Sequence, residues 1–395
     1  MSRRYLRREV VVAGGGVGAL ELVLALNDLA VGRVSITIVA PEVDFMERYA
    51  LGRLADDLGA RLVPDALARV YDGRHEVVTS GGQIVPYDVL VLAVGARPYP
   101  AYRNVITLGI EGTSEALTGL AADLEWGDVR RVAFVVPSGA SWTLPLYELA
   151  IMTARHGWAI GIDDARYWLV TPEPEPLAIC GPRASRAVHA MLEPEGITFI
   201  GSTHAEARDG AVLLDQGRER LEADRIVCLP LLDGPAIPGV RTDSSGFIPV
   251  DADGRLPGVP DVYAVGDATT FPIKQGGLAC QQADAVAESI AAAVGASVEP
   301  TRFRPVVRGK LMTAGRDRFL RRSLVGAADA GEVSEQPLWW PPSKIAGRYL
   351  TPYLLSRDEL DLHEAGPPQP YVTVEAPGAR TRMRTRRPEP PGTRR

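Results

Sequence analysis

Short apolar runs alternate with longer amphipathic stretches along the first 300 residues. The runs are rich in β-branched residues and end at glycine, proline or acidic residues, which is typical of buried parallel strands; they cover residues 9–13, 34–39, 87–94, 129–136, 167–170 and 261–266. The stretches between them have helical spacing at residues 20–26, 146–156 and 281–293. This alternation predicts an α/β protein.

The first strand leads directly into a glycine turn and a helix. Gly14, Gly16 and Ala19 occupy the three marked positions of G-x-G-x-x-G/A. In a strand–turn–helix unit of this kind, the first glycine makes the tight turn and the second lets a pyrophosphate approach the backbone. The third small residue lets the helix pack closely on the strand. The helix N-terminus then supplies amide donors to the phosphate.

The end of the second strand departs from this pattern. An acidic side chain usually holds the ribose hydroxyls of the dinucleotide there, but the first eligible position is Ala40. We predict that Glu42, two residues further on, replaces it. The alternative is a packing turn that binds no ligand.

Two later segments complete a predicted flavin site. Ala93 and Gly95 follow a buried strand and would let the backbone pass close to a cofactor. Asp267 ends the strand at residues 261–266, where its carboxylate can accept a hydrogen bond from a ribitol hydroxyl. The next helix begins near residues 277–279, so its N-terminus would place positive potential beside a flavin ring. Each segment alone could be ordinary α/β structure.

In this order, the three segments resemble the pyridine nucleotide–disulfide oxidoreductase superfamily over residues 8–300, with Val94 where the motif usually has Thr. The resemblance implies two Rossmann-like dinucleotide-binding domains of the three-layer ββα, glutathione-reductase-like type, and a small C-terminal α+β capping domain. It also implies an extended FAD, whose adenosine lies at Glu42 and whose isoalloxazine lies near residues 274–279. Lys274 is the candidate catalytic charge beside the ring. The residues predicted to bind FAD are Gly14, Gly16, Gly18, Ala19, Glu42, Arg48, Ala93, Gly95, Gly266, Asp267, Gly277, Leu278 and Ala279.

The second strand–turn–helix unit has an altered loop. Only its middle glycine, Gly139, remains, because Pro137 takes the first position and Trp142, which would widen the loop, takes the third. NAD(P)H could still bind here through Gly139 and Glu173. Alternatively, the domain has lost its dinucleotide and shapes a different pocket beside Trp142, the interpretation that we favour.

The segment from Gly139 to Glu148 resembles the branch that contains sulfide:quinone oxidoreductase and flavocytochrome c sulfide dehydrogenase. In that branch a redox cysteine stands at the position of Trp142. A second redox cysteine normally lies in the C-terminal region, whereas no cysteine follows Cys280 in this chain. Because persulfide chemistry needs thiolates, the sulfide reaction is not supported.

The predicted domains are residues 1–115 together with 240–300 for FAD, 116–239 for the degenerate NAD(P)-type unit, and 301–362 for the cap. Within the cap we predict strands at residues 303–312 and 331–340. The aromatic segment at residues 339–354 carries Lys344 and Arg348 and could anchor at a membrane surface, although an inward core or a dimer interface is favoured. Residues 363–395 are rich in Arg and Pro, which predicts a disordered basic tail.

Composition narrows the range of partners. The chain has 43 Lys and Arg against 49 Asp and Glu, a net charge of −6, which gives no overall attraction for nucleic acid. Its three cysteines are far apart and its five histidines lack ligand spacing, so we predict neither a disulfide framework nor a metal site. No apolar run reaches the roughly 20 residues of a spanning helix. The N-terminal arginines run straight into the first strand rather than into an export signal, and we expect a cytoplasmic protein.

The sequence therefore predicts an FAD-dependent oxidoreductase that passes two electrons through the flavin. The donor would be NAD(P)H or another small molecule, and a quinone is one candidate acceptor. One alternative is a peripheral quinone reductase of the sulfide:quinone type without its cysteine chemistry. Another is a non-catalytic flavoprotein scaffold. A homodimer is one candidate assembly, and contact with a membrane surface is not favoured.

Overall fold

The computed structural model describes residues 7–41, 51–208, 210–326 and 329–357. Two predicted ligands, Glu42 and Arg48, lie outside the described residues, as do Arg3, Arg4 and the Arg/Pro-rich tail. The strands, in chain order, are β1 (Arg8–Ala13), β2 (Val34–Val39), β3 (Arg61–Val63), β4 (Leu67–Tyr71), β5 (Glu76–Thr79), β6 (Ile84–Pro86), β7 (Val89–Leu92), β8 (Arg97–Tyr99), β9 (Ile106–Thr107), β10 (Arg131–Val135), β11 (Arg166–Val170), β12 (Ile197–Ile200), β13 (Glu206–Arg208), β14 (Ala211–Leu214), β15 (Glu219–Glu222), β16 (Arg225–Cys228), β17 (Leu231–Asp233), β18 (Arg255–Leu256), β19 (Val259–Ala264), β20 (Val306–Leu311), β21 (Arg318–Ser323) and β22 (Glu332–Ser334). The α-helices are α1 (Val17–Leu29), α2 (Leu51–Leu58), α3 (Thr113–Trp126), α4 (Leu144–Ala159), α5 (Pro182–Leu192), α6 (Gly276–Ala293) and α7 (Leu350–Ser356).

The first sheet has the strand order β18-β19-β7-β1-β2-β3 and is parallel except for β18. Helices α1 and α6 cover one face, and the antiparallel sheet β4-β5-β6 covers the other. Val10 and Val12 of β1 pack in the cluster that contains the helices, whereas Val11 and Ala13 pack in the cluster that contains the small sheet. A strand buried on both faces reads as a continuous apolar run, which explains the sequence pattern.

The second sheet repeats this architecture with the parallel order β12-β11-β10-β16-β9. Helices α3, α4 and α5 pack on one face, and the antiparallel sheet β13-β14-β15 packs on the other. The two ββα units confirm the predicted fold class. Strand β9, within the segment that the sequence assigned to the first domain, pairs with β16 in the second sheet, so this sheet begins before residue 116.

The C-terminal region contributes the antiparallel sheet β20-β21-β22 and helix α7. The predicted strand at residues 303–312 is shorter in the structure, where it is β20. The predicted strand at residues 331–340 is wrong beyond residue 334, because Pro337 lacks an amide donor and a further proline pair follows. Strand β21 was missed because its sequence, RFLRRS, is too charged to read as a buried strand.

Strands β8 and β17 form a short antiparallel pair. Each of them lies where the chain passes from one ββα unit to the other. Among the described helices, none combines the length and the apolar character that a membrane span requires.

Candidate cofactor site

A cavity of about 470 Å³ lies at the carboxyl ends of β1, β2, β7 and β19. This is the edge at which parallel α/β sheets bind their ligands, and the volume falls within the roughly 300–1,000 Å³ of small-molecule pockets. Eight of the predicted FAD ligands come together in its lining, although they are separated by up to 265 positions along the chain: Gly14, Gly16, Gly18, Ala93, Gly95, Gly266, Asp267 and Ala279.

The glycine turn brings two strand ends into backbone contact. Gly14 has φ +121°, and a Cβ added there would lie 2.2 Å from the carbonyl oxygen of Ala93. Only glycine lets the turns after β1 and β7 approach this closely. Gly16 is the N-cap residue of α1, and a Cβ added there would meet nothing within 4 Å. The space above Gly16 is therefore open for an anionic group at the helix N-terminus.

Asp267 supplies the acidic group at the opposite wall of the cavity. The preceding Gly266 has φ +71°, and its amide donates to Oε1 of the buried Gln282 at 2.5 Å. Burial raises the pKa of the Asp267 carboxyl, and the positive charge of Lys274 opposes this rise. The sequence analysis missed Gln282, because its role depends on the contact between α6 and the β19 turn.

Lys274 does not belong to the cavity lining. Its ammonium donates to the carbonyl oxygen of Thr269 and lies 3.9 Å from the ring centroid of Phe247. Burial lowers the pKa of Lys274 to about 8, although the charges of Asp267 and Asp243 act in the opposite direction. Lys274 thus affects the cavity through its electrostatic interaction with Asp267.

Three further predicted ligands also lie outside the cavity lining. Ala19 is buried between α1 and the sheet, as its predicted packing role requires. Gly277 and Leu278 occupy the first turn of α6, where the amide of Leu278 donates to the side chain of Gln275 at 3.1 Å. Conversely, Ala66 and Leu67 line the cavity without having been predicted, because no local motif marks the turn after β3.

The corresponding loop of the second unit is longer. Residues 14–16 separate β1 from α1, whereas residues 136–143 separate β10 from α4. Gly139 has φ +92° and is exposed. The indole of Trp142 lies against the cap, 3.6 Å from the position of a Cβ on Gly309. The loop therefore packs on β20 instead of closing tightly over a helix N-terminus.

Glu173, through which NAD(P)H could still bind this unit, is turned into the protein. Its carboxylate accepts hydrogen bonds from the hydroxyls of Tyr147 at 2.9 Å, Thr143 at 3.2 Å and Thr171 at 3.2 Å. Burial raises the pKa of Glu173, and these hydroxyl donors oppose the rise. Three internal donors thus occupy the carboxylate that a ribose would need.

The three cysteine thiols are all buried and free. Burial raises the pKa of Cys180 to about 12, that of Cys228 above its usual range and that of Cys280 well above it. Because the thiolate is the reactive form, none of these thiols is prepared for redox chemistry.

Two ββα units with one intact glycine turn and an acidic strand end are the arrangement expected of the two-dinucleotide-domain flavoproteins. The family model described as pyridine nucleotide-disulphide oxidoreductase matches residues 147–296. This match covers part of the chain and agrees with the superfamily that the sequence resembles.

One curated relative is the peroxisomal monodehydroascorbate reductase 4 of Arabidopsis thaliana, 23% identical over 265 residues. The match covers 62% of this chain and 51% of the relative, so the chain spans about half the length of that protein. Among solved structures, the sulfide:quinone oxidoreductase of Aquifex aeolicus has a TM-score of 0.73 and 19% identity, covering 83% of this chain and 87% of that one. A ferredoxin reductase of Rhodopseudomonas palustris has a TM-score of 0.60 and 18% identity, covering 83% and 91%. These structures share the fold.

Proposed function

We propose that this protein binds FAD in the 470 Å³ cavity and passes two electrons through it from a small donor to an acceptor. The observation that carries the proposal is the convergence of three turns on one cavity. These are the glycine turn at Gly14–Gly16, the small-residue turn at Ala93–Gly95 and the acidic strand end at Asp267.

The residues of the cavity fit the parts of FAD. The open backbone at Gly16 and the N-terminus of α1 offer amide donors and positive potential to a pyrophosphate. The Asp267 carboxylate offers an acceptor for a ribitol hydroxyl, and Gln282 holds its turn in place. When bound, FAD supplies the two-electron chemistry, while the protein supplies position and electrostatics.

The second unit favours a donor other than NAD(P)H. A ribose would have to displace three hydroxyl donors from Glu173, and it would leave the buried Tyr147 hydroxyl without its partner. Leaving a buried donor unsatisfied costs about 1–3 kcal/mol. Residues 136–143 also separate β10 from α4, so the N-terminus of α4 does not directly follow the strand as it does in a pyrophosphate-binding turn.

A quinone reductase is the second candidate function. The likeness of the fold to the Aquifex sulfide:quinone oxidoreductase supports it, as does the exposed Trp340 of the cap, which is 43% exposed. The buried thiols argue against a sulfide donor handled through cysteine. A membrane surface, a homodimer and the cytoplasm remain proposals that fractionation and sedimentation can test.

The decisive experiment is the absorption spectrum of the purified protein, followed by anaerobic mixing with dithionite, NADH and NADPH. We expect a bound flavin that dithionite bleaches and that both nicotinamides leave oxidised. A folded protein that is colourless and takes up no added FAD would contradict the proposal. Rapid bleaching by NADH or NADPH would contradict only the choice of donor. Turnover of the reduced protein with a short-chain quinone tests the second candidate.

A further inference from the structure

A buried carboxylate in α1 holds the cap from the far end of the chain. Glu21 is 0% exposed, and its two oxygens accept hydrogen bonds from the backbone amides of Tyr349 at 2.8 Å and Leu350 at 2.6 Å. These amides belong to the start of α7. Fully buried acidic side chains are rare in proteins unless they have partners, and these partners lie more than 300 residues away.

A second carboxyl supports the first. Asp284 of α6 is close enough to Glu21 for each carboxyl to shift the pKa of the other, and its Oδ1 is buried with no hydrogen-bond partner among the described residues. Burial and the charge of Glu21 raise the pKa of Asp284 well above its usual range, while the amides of Tyr349 and Leu350 limit the rise of the Glu21 pKa. Two adjacent buried carboxyls cannot both be ionised at low cost. Because the amides favour the ionised form of Glu21, we assign the proton of the pair to Asp284, which can donate it to the Glu21 carboxylate.

The loop held in this way packs against Gly276, a residue of the cavity wall. The carbonyl oxygen of Ile345 accepts from the hydroxyls of Ser343 at 2.7 Å and Thr351 at 3.0 Å, and the Thr351 hydroxyl in turn accepts from the amide of Gly347 at 2.9 Å. Three carbon atoms of the Ile345 side chain lie 3.4 Å from the position of a Cβ on Gly276, which lines the cavity. Movement of this loop would remove the side chain that packs against Gly276 at the edge of the cavity.

We propose that Glu21 is a positioning residue whose carboxylate, supported by a hydrogen bond from Asp284, fixes loop 343–350 so that Ile345 packs against Gly276 at the edge of the cavity. The part of this inference that concerns a flavin in the cavity rests on the proposed function. The part that concerns the loop does not, because it can be measured without FAD.

Other charged and titratable groups face the pair from each element packed against it. Glu288 of α6 pairs with Arg348 at 3.0 Å and also accepts from the amide of Thr301 at 3.0 Å. Cys280 of α6, Arg308 of β20 and Tyr349 of the loop also interact electrostatically with the pair, and Asp28 of α1 acts on Tyr349. Because Glu288 already has Arg348 and Thr301 as partners, it does not compete for the amides of α7.

The test compares two variants that each replace one carboxyl by its amide. Glu21→Gln removes one of two acceptors and turns an amide donor towards a backbone N–H, so it should release the loop. Asp284→Asn keeps a donor aimed at Glu21, so it should retain the loop. Hydrogen–deuterium exchange of the FAD-free protein should be at least about tenfold faster in peptides covering residues 343–357 of Glu21→Gln, and within about twofold of wild type in Asp284→Asn. Glu125→Gln, on an exposed carboxylate at the end of α3, is the matched control.

A second readout uses the loaded protein. Iodide should quench the fluorescence of bound FAD more strongly in Glu21→Gln than in wild type or Asp284→Asn, at equal FAD occupancy. Unchanged exchange in Glu21→Gln, or an increase shared equally by all peptides, would overturn the proposal. Loss of FAD binding in wild type would instead contradict the proposed function and leave the exchange result valid.

A third measurement applies if Glu21→Gln does not fold. The folded protein holds a proton on Asp284 that the unfolded chain releases near the ordinary aspartate pKa. Wild-type loop protection should therefore fall as pH rises from that value towards the raised pKa of Asp284 in the folded state. Protection in Asp284→Asn, corrected for intrinsic exchange, should lack this fall. Parallel pH profiles for the two proteins would overturn the proposal.

Discussion

Gly16→Ala should separate the binding of FAD from the stability of the fold. The residue is the N-cap of α1 with φ −79° and ψ −177°, a conformation that alanine adopts without strain. A Cβ added there would meet no protein atom within 4 Å, so the methyl group projects into open space at the helix N-terminus. That space is where the proposed pyrophosphate would lie.

The two expected magnitudes differ clearly. Alanine is a poorer N-cap than glycine by about 0.5–1 kcal/mol, and the smaller entropy of the unfolded chain returns about 0.4–1 kcal/mol. Stability of the FAD-free protein should therefore stay within about 1 kcal/mol of wild type. Loss of one charge-assisted amide–phosphate hydrogen bond costs about 1.5–3 kcal/mol, which weakens FAD binding by about tenfold to hundredfold.

Urea denaturation of the FAD-free protein and titration with FAD measure these two quantities. Gly119→Ala is the matched control, because this exposed helical glycine in α3 also has no atom within 4 Å of its added Cβ. It should gain up to about 1 kcal/mol in stability and bind FAD normally. Gly14→Ala should lose both properties, since its Cβ would overlap the carbonyl of Ala93. A folded Gly16→Ala protein with the FAD affinity of wild type would refute the predicted position of the pyrophosphate.

Three further outcomes are expected. Burial lowers the pKa of Lys274 to about 8, so as the pH rises the folded state loses this proton before the unfolded state does. The urea midpoint of wild type should therefore rise between about pH 8 and about pH 10. Lys274→Met should abolish this rise, and equal pH profiles of the two proteins would contradict the pKa shift. Tyr147→Phe should lower the free energy of unfolding by about 1–3 kcal/mol, because Glu173 loses a donor, and no loss would show that its carboxylate is satisfied elsewhere. Ellman's reagent should label the three cysteine thiols only after denaturation, whereas labelling of the native protein would indicate an accessible thiol.

Much of the first domain could be predicted from motifs that each span only a few residues. The glycine turn, the turn at Ala93–Gly95 and the strand end at Asp267 each fit within a few residues, and each needs a particular backbone or carboxylate. Their common cavity followed from the parallel order of the strands, since carboxyl ends of parallel strands share one edge. The long apolar runs similarly identified strands buried on both faces.

Contacts between elements that are distant along the chain could not be predicted from such motifs. Glu173 had the correct spacing for a ribose ligand, yet hydroxyls from α4 and its preceding loop turn it inward. The charged strand β21 forms because β20 offers it a full set of backbone partners. Lys274 lies beside the predicted site but is directed to Thr269 and Phe247.

Glu21 illustrates the difference between what the sequence predicts and what only the tertiary structure determines. The sequence by itself determined that one charge interrupts the apolar helix after the glycine turn, and it predicted that this helix binds a dinucleotide. Only the tertiary structure decided that the charge meets Asp284 and the amides of Tyr349 and Leu350. The physical reason is that backbone preference and apolar burial act over a few residues, whereas a buried charge is stable only where distant parts of the chain bring it partners.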